Sequence, residues 1–227
     1  MFQENMFHFR PIRNEIRGNP KSPFRGIVRK DERVNEVRLY LPSMATGRII
    51  LSEQKLNLVL DRLSHQLIEY HGDFKDTCII GIQPRGKALS DRLIERLKSI
   101  GKFKNLQYGL LDVTFHRDDF RTRQGPLKAS EMKIDFLVDN KKVVLIDDVL
   151  YTGRTIQAAI STLQHFGRAE KIELLVLVDR RFNRDLPIQS DYFGMAVDAL
   201  DQAYVKVEWD EGGGGKVRIY PTKEDVK

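Results

Sequence analysis

Cysteine is almost missing from this chain: Cys78 is the only one in 227 residues. A lone thiol cannot build an internal disulfide framework or a Cys-clustered metal site, and it fits a reducing compartment such as the cytoplasm. No apolar run approaches the ~18 residues that a membrane helix needs, so no membrane span is expected. The opening stretch MFQENMFHFRPIRNEIRGNP has no continuous apolar core, so it does not read as a secretory signal. The phosphate-loop pattern GxxxxGKS/T and the dinucleotide pattern GxGxxG are both absent, which excludes those two nucleotide folds.

What is present is ordinary for a globular protein, with 41% hydrophobic and 31% charged residues. At this length roughly 70% of the unfolded chain's surface can be buried, so no covalent staple is required. The net charge of +6 is unevenly spread. Residues 1–46 hold 9 Lys and Arg against 5 Asp and Glu, which leaves 29 against 27 in residues 47–227. Bulk charge on the main body is therefore no argument for a nucleic-acid partner.

Pro11, Gly18, Pro20, Pro23, Gly26 and Pro42 interrupt residues 1–46, with one short strand expected over 34–41. This segment reads as an N-terminal extension: a flexible arm, an edge addition, a subunit-contacting tail, or a leader with no specific role. Met44 is an alternative start. From residue 47 onward strands and helices alternate. Apolar spacing predicts a helix over 52–70 with Ser52 as N-cap, a strand over 78–82, and a helix over 89–100 ending at Gly101 as a C′ residue. Further strands are expected over 106–115, 142–146 and 171–178, and a helix over 155–166 stopped by Gly167. Residues 116–131 read as a polar loop. Segments 203–209 and 216–220 flank a Gly212–Gly215 turn, which predicts a hairpin. The pattern argues for a parallel sheet covered on both faces.

The chemistry concentrates in 143-VVLIDDVLYTGRTIQAA-159. A buried strand ends in Asp147 and Asp148, which places two acids at the carboxyl edge of the sheet, where open α/β folds bind ligands. Thr152, Gly153, Arg154 and Thr155 open the next helix. Unpaired N–H groups and a positive dipole end there suit a phosphate, and Gly153 admits a close approach. The acids can accept from a pair of sugar hydroxyls or hold Mg²⁺ through water. One phosphate cradle beside two carboxylates has the shape of a ribose-5-phosphate site. A helix cap beside two solvated acids would not account for the whole pattern.

Residues 143–155, VVLIDDVLYTGRT, resemble the phosphoribosyl-pyrophosphate (PRPP) signature of type I phosphoribosyltransferases, and most closely that of the PyrR family of pyrimidine-operon attenuators and uracil phosphoribosyltransferases. LDRLSHQLIE (60–69), GIQPRGKALSDRL (81–93), LDVTFHRDDF (111–120), GRAEKIELLVLVDR (167–180) and LPIQSDYFG (186–194) are similar to segments of that family in the same order. The resemblance covers about 47–220. It implies a central mostly parallel sheet flanked by helices, a small hood and a C-terminal β-hairpin, with residues 47–227 as the phosphoribosyltransferase domain.

The resemblance also assigns roles. Asp147 and Asp148 become catalytic acids on the ribose hydroxyls and the holders of Mg²⁺. Val149, Leu150, Tyr151, Thr152, Gly153, Arg154 and Thr155 form the PRPP loop. Pro84, Arg85 and Gly86 take the pyrophosphate, with Pro84 where the family has a small polar residue. A lid over the site carries Arg117 as a catalytic cation, with Asp118, Asp119, Arg121 and Arg123 around it. Asp179, Arg180 and Tyr192 are candidates for contact with the base. The implied reaction makes UMP and pyrophosphate from uracil and PRPP, and transfer to a purine is the weaker alternative.

Members of the family also bind operon leader RNA when UMP is present. Arg62 and His65 match its RNA-facing helix, while Asp61 would repel phosphate. The turn Arg181-Phe182-Asn183-Arg184 keeps basic charge without the family's histidine. A nucleotide-sensing RNA-binding regulator with little catalysis is therefore the alternative to the enzyme. The resemblance implies a homodimer or a larger even-numbered oligomer, with no membrane partner.

Overall fold

The computed structural model describes residues 47–114, 132–182, 184–199, 202–210 and 212–226. The extension over 1–46, its expected strand over 34–41, and the loop carrying Arg117, Asp118, Asp119, Arg121 and Arg123 lie outside the described residues.

Five strands form a parallel sheet in the order β3-β2-β4-β5-β6. They are β2 (Thr77–Gln83), β3 (Gln107–Asp112), β4 (Lys142–Leu150), β5 (Lys171–Arg180) and β6 (Tyr192–Val197). Helices α1 (Glu53–His71) and α2 (Arg85–Ile100) cover one face, and α3 (Arg154–Leu163) covers the other. Strand alternation builds both cores. Ile79, Val144, Ile146, Leu175 and Leu177 pack with Leu56, Leu60, Leu63 and Leu67 of α1 and with Leu89, Leu93 and Leu97 of α2. Cys78, Ile80, Val143, Leu145, Leu174 and Val176 pack instead with Ile156, Ala159 and Leu163 of α3. A smaller antiparallel sheet, β1-β8-β7, joins β1 (Arg48–Leu51) to the hairpin of β7 (Tyr204–Trp209) and β8 (Gly215–Tyr220).

The chain leaves β2 toward β3 and leaves β4 toward β5 and β6. The direction of winding thus reverses between β2 and β4, and a ligand crevice is expected outside their carboxyl ends.

Several expected boundaries move. Helix α2 begins at Arg85 rather than 89, directly after a cis Gln83–Pro84 bond. Gly101 ends it in extended backbone (φ −152, ψ 162), not left-handed, because the chain turns straight out toward β3. Ser52 has the extended backbone of an N-cap but makes no side-chain cap bond. Strands β4 and β5 run past the expected ends because the ladder continues through Val149↔Val178 and Leu150↔Asp179. The acids therefore sit inside the last turn of pleat, not beyond it. Helix α3 stops at Leu163, and a single 3-10 turn, Gln164–Phe166, carries the chain to Gly167 (φ 120). Strands β1 and β6, each short, were not anticipated.

Candidate active site

A cavity of about 570 Å³ opens at the carboxyl ends of β2 and β4. One wall is residues 147–153 with Thr155 and Ile156, and a second is Gln83, Pro84 and Arg85. Val113 and Thr114 follow β3, Arg180 ends β5, Tyr204 and Val205 open β7 of the smaller sheet, and residues 202, 203 and Lys223 flank that sheet in the chain.

Asp147 and Asp148 are 7% and 6% exposed. The Asp148 backbone N–H donates to Asp147 Oδ1 at 2.9 Å, which fixes the Asp147 carboxyl against the chain. Burial, then the neighbouring Asp148, push the Asp147 carboxyl well above the usual carboxylate range. Burial also raises Asp148, with Arg85 opposing it. For Arg85, burial disfavours the charge, but Asp148, Tyr204 and Asp147 outweigh it and hold the guanidinium's pKa up.

Gly153 caps α3 at φ 91 and ψ −8, a left-handed conformation suited to glycine. Its carbonyl accepts from Gln157 N–H at 3.0 Å, the first bond of the helix, and Arg154 N–H reaches Thr152 Oγ1 at 3.5 Å. Thr152 O accepts from Asp185 N–H at 3.0 Å and from Leu186 N–H at 3.3 Å, which pins the turn. The Arg154 side chain does not line the cavity: its Nε donates to Asp185 at 2.9 Å. Thr152 and Thr155 do line it.

On the second wall, Arg85 Nη2 donates to the Tyr204 hydroxyl at 2.9 Å. Gly86 is needed for packing: a Cβ there would lie 2.3 Å from Ile146 O and 3.0 Å from Asp147 Cα. The close approach that this glycine permits is to β4.

The three base-contact candidates separate. Arg180 is 4% exposed and lines the cavity, its guanidinium carbon 3.9 Å from the Tyr151 ring centroid. Asp179 is taken up by the Arg184 guanidinium and by Ser190 Oγ at 2.7 Å. Tyr192 is a correction: it opens β6, away from the carboxyl edge, and its hydroxyl meets His71 Nε2 at 3.2 Å. The motif alone does not fix which end of its strand this aromatic occupies.

The expected RNA-facing residues also divide. His65 is exposed, with Nδ1 donating to Asp61 O at 2.8 Å. Arg62 Nη2 donates to the Phe193 and Gly194 carbonyls, each at 2.9 Å, clamping α1 to the edge strand. In the basic turn, Arg181 pairs with Asp198 at 2.8 Å. Arg184 points inward, donating to Ile188 O at 3.1 Å, Arg180 O at 2.7 Å, Leu150 O at 3.2 Å and Tyr151 O.

Sequence reasoning missed Tyr204, Lys223, Thr114 and Arg184. Thr114 stood inside a quoted motif, and Asp112 accepts from its N–H at 2.8 Å and its hydroxyl at 2.6 Å. Tyr204 and Lys223 had no signal, since only the fold brings the smaller sheet to the crevice.

No group of three or more His, Cys, Asp or Glu side chains among the described residues is arranged to hold a metal. Two adjacent carboxyls beside one guanidinium offer oxygen ligands to a hard cation, whose charge would favour their ionised form. Mg²⁺ fits such a pair when substrate oxygens and water complete its shell.

A family model described as phosphoribosyl transferase domain matches residues 48–211. The bifunctional protein PyrR of Caldicellulosiruptor bescii is 41% identical over 162 residues, 71% of this chain and 88% of that protein. The bifunctional protein PyrR of Halalkalibacterium halodurans is 40% identical over 172 residues, 74% of this chain and 93% of that protein. Among solved structures, a hypoxanthine-guanine phosphoribosyltransferase from Bacillus anthracis superposes with a TM-score of 0.56 at 13% identity, covering 76% of this chain and 98% of that one. That last likeness speaks to the fold alone.

Proposed function

Since the chain belongs to the phosphoribosyltransferase family, and within it to the bifunctional PyrR proteins, we propose that this cavity forms UMP and pyrophosphate from uracil and PRPP. The observation that carries the reading is the convergence of Asp147–Asp148, the Gly153 helix terminus and Arg85 on one cavity.

PRPP lies with its 5-phosphate on the turn of Thr152, Gly153 and Thr155, where backbone N–H groups and the α3 dipole meet it. Asp147 and Asp148 accept from the ribose hydroxyls. Pro84, Arg85 and Gly86 sit beside the pyrophosphate, and Arg85 supplies its charge. As the C1–pyrophosphate bond loosens, negative charge builds on the leaving group and positive charge on the ribose ring. Arg85 stabilises the first, and the two carboxylates stabilise the second. The uracil N1 then bonds to the opposite face of C1 as the C1–O bond to pyrophosphate breaks, its N–H proton passing to water or to the departing pyrophosphate, without a covalent enzyme intermediate. Arg180, stacked on Tyr151, is the base-side donor. Asp147 and Asp148 would hold Mg²⁺, directly, through water or through the ribose hydroxyls; when bound, the ion supplies charge neutralisation for the pyrophosphate. Arg117 and its neighbours remain the proposed lid.

Steady-state transfer with uracil and with hypoxanthine tests this reading. Turnover of uracil with hypoxanthine inert supports it. Equal turnover of hypoxanthine would move the assignment to a purine enzyme.

The second proposed activity is UMP-dependent binding of operon leader RNA. The bifunctional relatives and the exposed His65 support it, whereas Arg62 is engaged within the fold. Filter retention of the chain's own leader RNA at low salt, with and without UMP, tests it; retention that ignores UMP would remove it. Exposed Leu58 and Tyr70 on α1, 69% and 67% accessible, support assembly into a dimer or larger even-numbered oligomer, and light scattering after size exclusion would count the copies. Among the described residues no helix is long and apolar enough to cross a membrane. The PRPP substrate and the buried Cys78 thiol suit the cytoplasm, the proposed location.

A further inference from the structure

The wall contributed by the smaller sheet holds a residue for which the reaction above has no role. Tyr204 opens β7, pairs in register with Tyr220 of β8, and faces the cavity. Its hydroxyl accepts from Arg85 Nη2 at 2.9 Å, and the Arg85 guanidinium carbon is 6.0 Å from the Tyr204 ring centroid. A side chain of one sheet thus holds the anion-facing side chain of the other.

Docking the two sheets does not depend on that bond. Arg92, two turns along α2, lays its guanidinium 4.3 Å from the Trp209 ring centroid. It donates from Nη2 to Asp210 O at 3.2 Å and from Nε to Gly213 O at 3.3 Å. The hairpin is fixed there, and the Tyr204 hydroxyl is left to orient one guanidinium.

The chemistry of the partner matters. A phenol is a neutral acceptor that takes one of the five N–H donors of an arginine and leaves its charge intact. A carboxylate in the same place would neutralise Arg85 and compete with an incoming anion. An arginine already held in its binding geometry loses less freedom when the anion arrives.

We infer that Tyr204 is a positioning residue for pyrophosphate, holding Arg85 across the cavity so that its remaining donors meet the anion. The inference rests on the reading of this cavity as a PRPP site.

Tyr204→Phe keeps the ring and removes the bond. PRPP, inorganic pyrophosphate and UMP would each be titrated calorimetrically into wild type and variant, beside steady-state kinetics. The expected result is a KM for PRPP and a Kd for pyrophosphate each raised about fivefold, the scale of one hydrogen bond. The Kd for UMP, which lacks the pyrophosphate, and the melting temperature stay at wild-type values. In an Arg85→Ala background the same substitution adds nothing. Unchanged pyrophosphate binding, or an equal loss of UMP binding, overturns the inference while the PRPP site stands. Wild-type protein that binds neither PRPP nor pyrophosphate overturns the site reading and this inference with it.

Discussion

Gly86 and Ile146 meet backbone to backbone: a Cβ on Gly86 would lie 2.3 Å from the Ile146 carbonyl oxygen. This contact seats the first turn of α2 against the strand that carries Asp147 and Asp148. Gly86→Ala forces α2 and β4 apart. We expect a loss of about 1–3 kcal/mol of stability, typical of overpacking, together with a raised KM for PRPP. Denaturant titration and kinetics check both. Wild-type values for both would show that α2 is not seated through this glycine.

Asp147→Asn separates catalysis from stability. Both acids have folded-state pKa values raised above the unfolded value, so the native state binds more protons than the unfolded chain. Their contribution is favourable below the unfolded value, about 3.9, and is lost as pH rises through the raised folded values. His71, lowered by burial, works in the opposite direction, so the comparison is between variants. Ligand-free Asp147→Asn is expected to be more stable than wild type at pH 8, with the advantage shrinking toward pH 4. Urea titrations across that range measure it, and a variant that is less stable at pH 8 would contradict the burial argument.

Gly153→Ala puts a side chain on a left-handed residue (φ 91) and within 3.2 Å of Ile188 Cδ1. The backbone cost is about 1–2 kcal/mol. Relief of that strain moves the turn that faces the cavity, so weaker binding of ribose 5-phosphate is expected alongside a lower melting temperature. Unaltered affinity for that ligand would exclude the turn as the phosphate cradle.

Arg184→Ala removes the partner of Asp179 and of four carbonyls around the loop. The pair is part-buried, so the loss is expected to be about 1–3 kcal/mol, the scale of charged hydrogen bonds left unmade. Arg184→Lys should recover little, since one ammonium cannot reach the same fork of acceptors. Thermal unfolding of the two variants decides it.

The core of this site was legible because its elements are contiguous. A strand, two acids, a glycine turn and a helix within residues 143–159 specify a phosphate end and a sugar end without knowledge of the rest of the fold. The early start of α2 was hidden by Pro84, which reads as a turn yet serves as the helix N-cap. Arg184 looked like surface charge because nothing local signals that a guanidinium will turn inward onto carbonyls of residues 150 and 151. Tyr192 and Tyr204 failed in opposite ways for one reason. Which end of a strand faces the crevice depends on strand order and direction, and those are set by long-range pairing.

The most direct test is formation of UMP from uracil and PRPP with Mg²⁺, run with wild type and Asp147→Asn side by side, each shown to be folded. The account predicts UMP formation by wild type and a loss of at least about a hundredfold in the variant, the scale of removing one preorganised electrostatic group. Equal rates from both proteins, or no UMP from folded wild type, would contradict it.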